Sequence, residues 1–244
     1  MNKYYKNPDN KAKESIKAFY NNHGWKENDN NETLDAQSFE DLRECAQSYL
    51  IKCRNKIKKF IPVNGKHFLD MASGTIQYPE YLDYSKNFSK RHCVDISQDA
   101  LEKAKKKIGA HGEYYNNDFF DLDFKDNYFD CILSMHTIYH IDENLQEEAI
   151  RRLIRFSKKN SPIIIVYSNP FSIMNLPIVQ KIKKYLYLKI IQFDKSVPKL
   201  YFHSHPLNWW NRFNDTVKIE LHPWRTFSAE HQKFLFPNNV FGKF

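Results

Sequence analysis

The sequence predicts an α/β fold: a mostly parallel sheet with helices on both faces, an antiparallel strand at its edge, and a helical cap before it. Three observations carry the prediction. Between residues 66 and 168 short apolar runs alternate with helical ones. Most connections between successive apolar runs are long enough to hold a helix, which parallel strands need and hairpins do not. The first three of those runs each end on or beside an acid, at the strand ends where such a sheet binds its ligands.

A chain of 244 residues is long enough for one sizeable domain with an added cap. With 41% hydrophobic and 16% aromatic residues it can fill a core, which excludes a disordered tail protein. No run approaches the roughly 18 apolar residues of a membrane-spanning helix; the purest is Ile163 to Tyr167. Met1 to Glu14 lacks the apolar middle of a secretory signal. The four cysteines, Cys45, Cys53, Cys93 and Cys131, show neither metal spacing nor a dense disulfide pattern, so they read as reduced thiols of a cytoplasmic protein.

Residues 1–63 read as a polar helical cap or lid, split by an Asn- and Asp-rich loop from Asn21 to Thr33. Its second helical run, Ser38 to Phe60, takes Ser38 as N-cap. Leu42, Cys45, Ala46, Tyr49, Leu50, Cys53 and Ile57 recur at steps of three and four, and Pro62 and Gly65 end the run. Residues 64–244 read as the α/β domain. Its strands fall at His67–Met71, His92–Asp95, Glu113–Asn116, Asp130–Met135 and Pro162–Tyr167. Helices fall near Tyr78–Asn87, at Ser97–Ile108 with Ser97 as N-cap and Gly109 as stop, and at Asn144–Ser157. A substrate-side insertion spans about 171–213. It contains a basic amphipathic stretch, Pro177–Phe193, and a run dense in aromatics and histidines, Lys199–Phe213. Val217–Leu221 and Gln232–Phe236 pair in this reading as antiparallel edge strands.

The chemistry follows the strand ends. After the first strand come Asp70, Met71, Ala72, Ser73, Gly74 and Thr75: an acid, then small residues that let the backbone turn tightly against a ligand. Asp95, followed by Ile96, ends the second strand 25 positions later, near the spacing at which a carboxylate accepts hydrogen bonds from ribose hydroxyls. Asn117, Asp118 and Phe119 end the third. An acid beside an aromatic suits a purine, the carboxylate taking its exocyclic amine and the ring packing on its face. Each acid alone reads equally as a helix cap. Three in register point to a nucleoside.

These segments resemble the class I S-adenosylmethionine-dependent methyltransferases. Phe68 to Thr75 is similar to the family's glycine-rich motif, Cys93 to Ser97 to its ribose acid, and Asn117-Asp118 to its adenine site. Phe124 to Ile132 is similar to its run entering the fourth strand, Ile138-Tyr139-His140 to its Leu-His-His, and Glu147 to Asn160 to its helix before the fifth. The resemblance spans about 66–168. It implies a Rossmann-like fold, S-adenosyl-L-methionine as cofactor, and cofactor contacts from Asp70, Ala72, Ser73, Gly74, Asp95, Ile96, Asn117, Asp118, Phe119 and Met135. The family's G-x-G-x-G becomes Ala72, Gly74 and Ile76, which implies a different loop shape or helix start. A nicotinamide dinucleotide is the alternative cofactor, but its pyrophosphate wants several glycines and would be repelled by Asp70.

Methyl transfer needs an aligned acceptor and, for a hydroxyl or ammonium, a base. His136 and His140, just past the fourth strand, are the candidate catalytic residues, against the plainer reading of histidines in the cleft wall. His203 and His205 are too few to hold a metal. Phe19-Tyr20 and His23-Gly24-Trp25 either fold over the cofactor or seal the core. The expected acceptor is a small molecule: a sugar, nucleotide-linked or natural-product intermediate. The net charge of +8 opens two lesser readings, an RNA or protein methyltransferase and peripheral membrane contact. Against both, the lysines are scattered apart from Lys103–Lys107 and Lys181–Lys184. A cofactor-binding interaction protein without catalysis is the remaining alternative.

Overall fold

A computed structural model of the chain describes residues 11–29, 32–170, 181, 200–229 and 232. Its centre is a five-stranded sheet of β1 (Gly65–Met71), β2 (Phe88–Asp95), β3 (Gly112–Asn116), β4 (Cys131–Met135) and β5 (Ile163–Val166), in the order β3-β2-β1-β4-β5. All four ladders are parallel. The chain builds outward from β1 to β3 and then returns to the other side of β1. The strand order therefore reverses between β1 and β4, where a parallel sheet opens a crevice at its carboxyl edge.

The central strands are buried on both faces, as near-continuous apolar runs require. Leu69, Met71, Val94, Phe129 and Ile132 pack beneath α6 (Gln146–Phe156), against its Ala149, Ile150, Leu153 and Phe156. On the opposite face Phe68, Phe88, Cys131, Leu133 and Val166 meet Ile57 and Tyr84. α5 (Gln98–Ile108) buries Ala100, Leu101 and Ala104. Its N-cap Ser97 accepts from the Ala100 amide, and Gly109 ends it at φ 62°.

Before the sheet come α1 (Lys11–Phe19), a π turn at Tyr20–Gly24, α2 (Leu34–Phe39) and α3 (Glu44–Lys56). Ser38 is not a helix N-cap. It lies inside α2 with its hydroxyl on the Leu34 carbonyl, and Thr33 caps that helix by accepting from the Ala36 amide. The expected long helix is broken at Glu40, whose carboxylate is held by Arg54, Arg225 and the Tyr78 hydroxyl. α4 (Pro79–Asp83) follows the first strand with proline in its first turn.

The antiparallel edge strand does not form among the described residues. Val217 and Ile219 pack on the core beside Trp209, while Lys218 and Glu220 pair with each other in solvent. The alternation that predicted a strand is satisfied by laying an extended segment on the core rather than by sheet pairing. The expected partner beyond Gln232 and the basic stretch Pro177–Phe193, apart from Lys181, lie outside the described residues.

Candidate active site

One cavity of about 670 Å³ opens at the carboxyl ends of the strands, and all twelve residues expected of the site line it. β1 and its loop supply Asp70, Ala72, Ser73 and Gly74. β2 supplies Asp95 and Ile96, the end of β3 supplies Asn117, Asp118 and Phe119, and β4 supplies Met135, His136 and His140. The far wall comes from the amino-terminal segment through Lys13, Ile16, Tyr20, Trp25 and Asp35.

The loop after β1 keeps a left-handed backbone although two glycines are gone. Ala72, Gly74 and Ile76 have φ of 56°, 57° and 50°. For a branched residue such as Ile76 that conformation costs about 1–2 kcal/mol. Its side chain is only 1% exposed, and full burial of an isoleucine returns about 2–3 kcal/mol, so packing outweighs the strain. Glycine is favoured at position 74 for a second reason: a Cβ there would sit 2.8 Å from Cη2 of Trp25. From α5, Lys107 donates to the Thr75 and Ile76 carbonyls, both at 2.9 Å, and Lys103 donates to the Trp25 carbonyl and to Glu27.

The three strand-end acids share this crevice but differ in their partners. Asp95 accepts from the Gly74 and Ser97 amides at 2.9 and 2.8 Å and has no cationic partner among the described residues. Burial pushes its carboxyl up to about 6, against the pull of those amides. Asp70 forms a buried ion pair with Arg91, which also donates to the Tyr81 carbonyl. Its charge is thus neutralised from β2, and the argument that it repels a pyrophosphate loses its force. Asp118 accepts from the Phe120 amide through one oxygen and pairs with Lys13 of α1 through the other at 2.6 Å.

The two histidines are held differently. His136 adopts φ 57°, its Nδ1 lies 2.8 Å from the Tyr139 hydroxyl, and its ring packs 4.6 Å from Trp224. Burial, then the neighbouring Arg225, push its pKa down to about 3, so the ring is neutral. Nδ1 of His140 lies 2.6 Å from the Tyr201 carbonyl. A carbonyl only accepts, so this nitrogen carries the proton and Nε2 keeps its lone pair.

Tyr20 stacks on Trp25 with ring centroids 4.9 Å apart. Trp25 Nε1 and Thr75 Oγ1 are buried at the cavity without a partner among the described residues. Asp35 was not among the expected residues. It stands in the first turn of α2 beside the Tyr20 hydroxyl, and burial drives its carboxyl up to about 7. The one sequence signal for it is the capping Thr33 two positions earlier, which starts a helix where the asparagine-rich composition suggests a loop. Among the described residues, no group of three or more His, Cys, Asp or Glu side chains could hold a metal.

The residues fit S-adenosylmethionine on two counts. The left-handed small-residue loop brings backbone close to the cavity. Beside it, Trp25 Nε1 and Thr75 Oγ1 have no partner and Asp95 no cation among the described residues.

Residues 69–165 match the family described as "Methyltransferase domain". No curated protein matches the chain. Among solved structures, phosphoethanolamine N-methyltransferase 1 of Haemonchus contortus, solved with phosphoethanolamine and S-adenosylhomocysteine, is 15% identical with a TM-score of 0.54 over 69% of this chain and 36% of that one. A complex of the Haloferax volcanii Trm112 methyltransferase activator with a methyltransferase gives 15% identity and a TM-score of 0.51 over 70% of each chain. The YcgJ protein of Bacillus subtilis is 17% identical over 68% of each chain, with a TM-score of 0.49. At such identities these likenesses concern the fold. The family match assigns residues 69–165 to a methyltransferase domain, and the two likenesses with TM-scores above 0.5 share its fold.

Proposed function

We propose that this methyltransferase acts on a small molecule held in the same cavity as its cofactor. The observation that carries the reading is the roof. Lys13, Tyr20, Trp25 and Asp35 close the cavity from the amino-terminal side, and a polymer substrate needs an open face instead. The segment acts as a lid latched by Lys13 on Asp118 and by Lys103 on Glu27.

The cofactor supplies an activated methyl group, so the protein's work is to bind, align and exclude water. In this reading Asp95 holds the ribose hydroxyls and Phe119 packs on the base, with Asn117 and Asp118 at its amine. The Ala72–Gly74 loop, Ile96 and Met135 shape the remainder. Asp70 positions Arg91 and the loop rather than gripping the ligand directly. Of the two histidines, His140 is the better base, because the Tyr201 carbonyl fixes its tautomer and leaves Nε2 to receive a proton. His136 braces Tyr139. The four cysteines are free thiols, which supports a reducing, cytoplasmic setting.

The test is calorimetric titration with S-adenosylhomocysteine, on wild type and on Asp95→Ala. Saturable binding that the variant loses supports this placement. A flat titration with folded wild-type protein overturns it.

A further inference from the structure

Resting on that reading and deepening it, we propose that Asp35 and Tyr20 form a binding site for a cationic nitrogen, so that the methyl acceptor is a small primary or secondary amine bound as its ammonium. The ammonium gives one proton to the base assigned above before its freed lone pair takes the methyl group and S-adenosylhomocysteine leaves as the neutral thioether. Four observations converge. Asp35 lines the cavity from the lid and makes no ion pair among the described residues. Glu40 is committed to Arg54 and Arg225, Asp70 to Arg91 and Asp118 to Lys13, which leaves Asp35 and Asp95 as the lid and strand-end acids held without a cation among the described residues. Asp35 acts on the Tyr20 side of the cavity, and Tyr20 feels Asp95 as well as Asp35. The groups that feel its charge are Tyr20, Glu40 and Tyr139, and Tyr139 bonds His136 just past β4. Finally, the aromatic side chains Tyr20 and Trp25 line the wall beside it.

A carboxylate held out of water without a cation is costly, and an ammonium is the ligand group that offsets the cost most fully. Aromatic faces add cation–π attraction. A neutral hydroxyl would leave Asp35 short of a counter-charge. The same arrangement couples the ligand to the lid: in an empty pocket burial favours the protonated Asp35, and an entering cation takes the place of that proton.

The probes are n-butylamine and its neutral counterpart n-butanol, titrated against the whole protein with and without saturating S-adenosylhomocysteine. Binding is read by tryptophan fluorescence and calorimetry on wild type and Asp35→Asn. The expected result is saturable amine binding at least tenfold tighter than the alcohol, lost at least tenfold in Asp35→Asn, with S-adenosylhomocysteine affinity within twofold of wild type. Wild-type preference for amine over alcohol is informative even if the variant does not fold. Equal affinity for the two probes, no amine binding, or unchanged amine binding in Asp35→Asn overturns the proposal. So does a loss in Asp35→Asn that falls on S-adenosylhomocysteine, which would assign Asp35 to the cofactor's own ammonium. Failure of wild type to bind S-adenosylhomocysteine is a separate result: it overturns the cofactor placement and leaves the amine titration to be read on its own.

Discussion

From His67 near the amino end of β1, a chain of hydrogen bonds in one direction runs across the sheet through His92, Tyr115 and Glu113. Tyr115 gives its only proton to Glu113, so His92 Nδ1 donates to Tyr115 and His67 Nδ1 donates to His92 Nε2, at 2.8, 3.0 and 3.0 Å. Nearby, Asp130 accepts from the Lys66 and His67 amides and pairs with Lys158. At the carboxyl ends the same kinds of group are left wanting. Among the described residues, Trp25 Nε1 and Thr75 Oγ1 have no partner, and Asp35 and Asp95 have no cation. A buried polar group that the fold does not satisfy is one that awaits something else. The difference between the two ends marks the site independently of any motif.

The sharpest way to break this contrast is to delete one carboxylate at each end. Asp95→Ala is expected to weaken S-adenosylhomocysteine binding on the order of 100-fold, since charged hydrogen bonds contribute about 1.5–3 kcal/mol. Asp130→Ala leaves that titration within twofold and lowers stability in denaturant instead. Equal loss of ligand affinity in both would erase the distinction.

Next in size is pH, because the two ends carry opposite signs. Burial lowers His92 from 6.5 to about 4. The unfolded chain therefore takes up this proton first, and stability is full above pH 6.5 and falls as the pH drops toward 4, by on the order of 2 kcal/mol. Asp35 and Asp95 are raised from 3.8 to about 7 and about 6. Their contribution is full below pH 4 and is lost as the pH rises through those values. Urea midpoints across pH 4–8 should flatten on the acid side in His92→Gln and on the neutral side in Asp35→Asn. Unchanged profiles would refute the assignment.

Gly74→Ala is expected to cost about 1–2 kcal/mol, combining left-handed strain with the displacement of Trp25. The readout is a shifted tryptophan emission alongside a lower melting temperature; emission identical to wild type would mean that the indole does not rest on this glycine. Smallest is Ala72→Gly, which relieves a left-handed alanine and raises stability by up to about 1 kcal/mol. A measurable loss would show that the methyl group packs usefully.

Much of this site was legible because its pattern is local. An acid at a strand end follows from a short apolar run and the residue after it, so Asp70, Asp95 and Asp118 could be read in register before any coordinates. Their partners could not. Arg91 neutralises Asp70 across 21 positions and Lys13 reaches Asp118 from the first helix, and such pairings exist only once the chain has folded. Asp35 was hidden by composition, in a stretch whose asparagines suggest a loop. Val217–Leu221 misled for the converse reason: alternation specifies one buried and one wet side, and a core surface satisfies it as well as a sheet edge does.

Lysines of the α5 run are directed inward, which bears on how the molecule looks from outside. Two of its four ammonium groups, Lys103 and Lys107, rest on main-chain oxygens of the roof and the turn below it. They act as struts between a helix and the two walls it braces. The formal charge of +8 therefore overstates the field that an approaching polyanion meets along this helix, where Lys103 is paired with Glu27 and Lys105, Lys106 and Lys107 stay exposed.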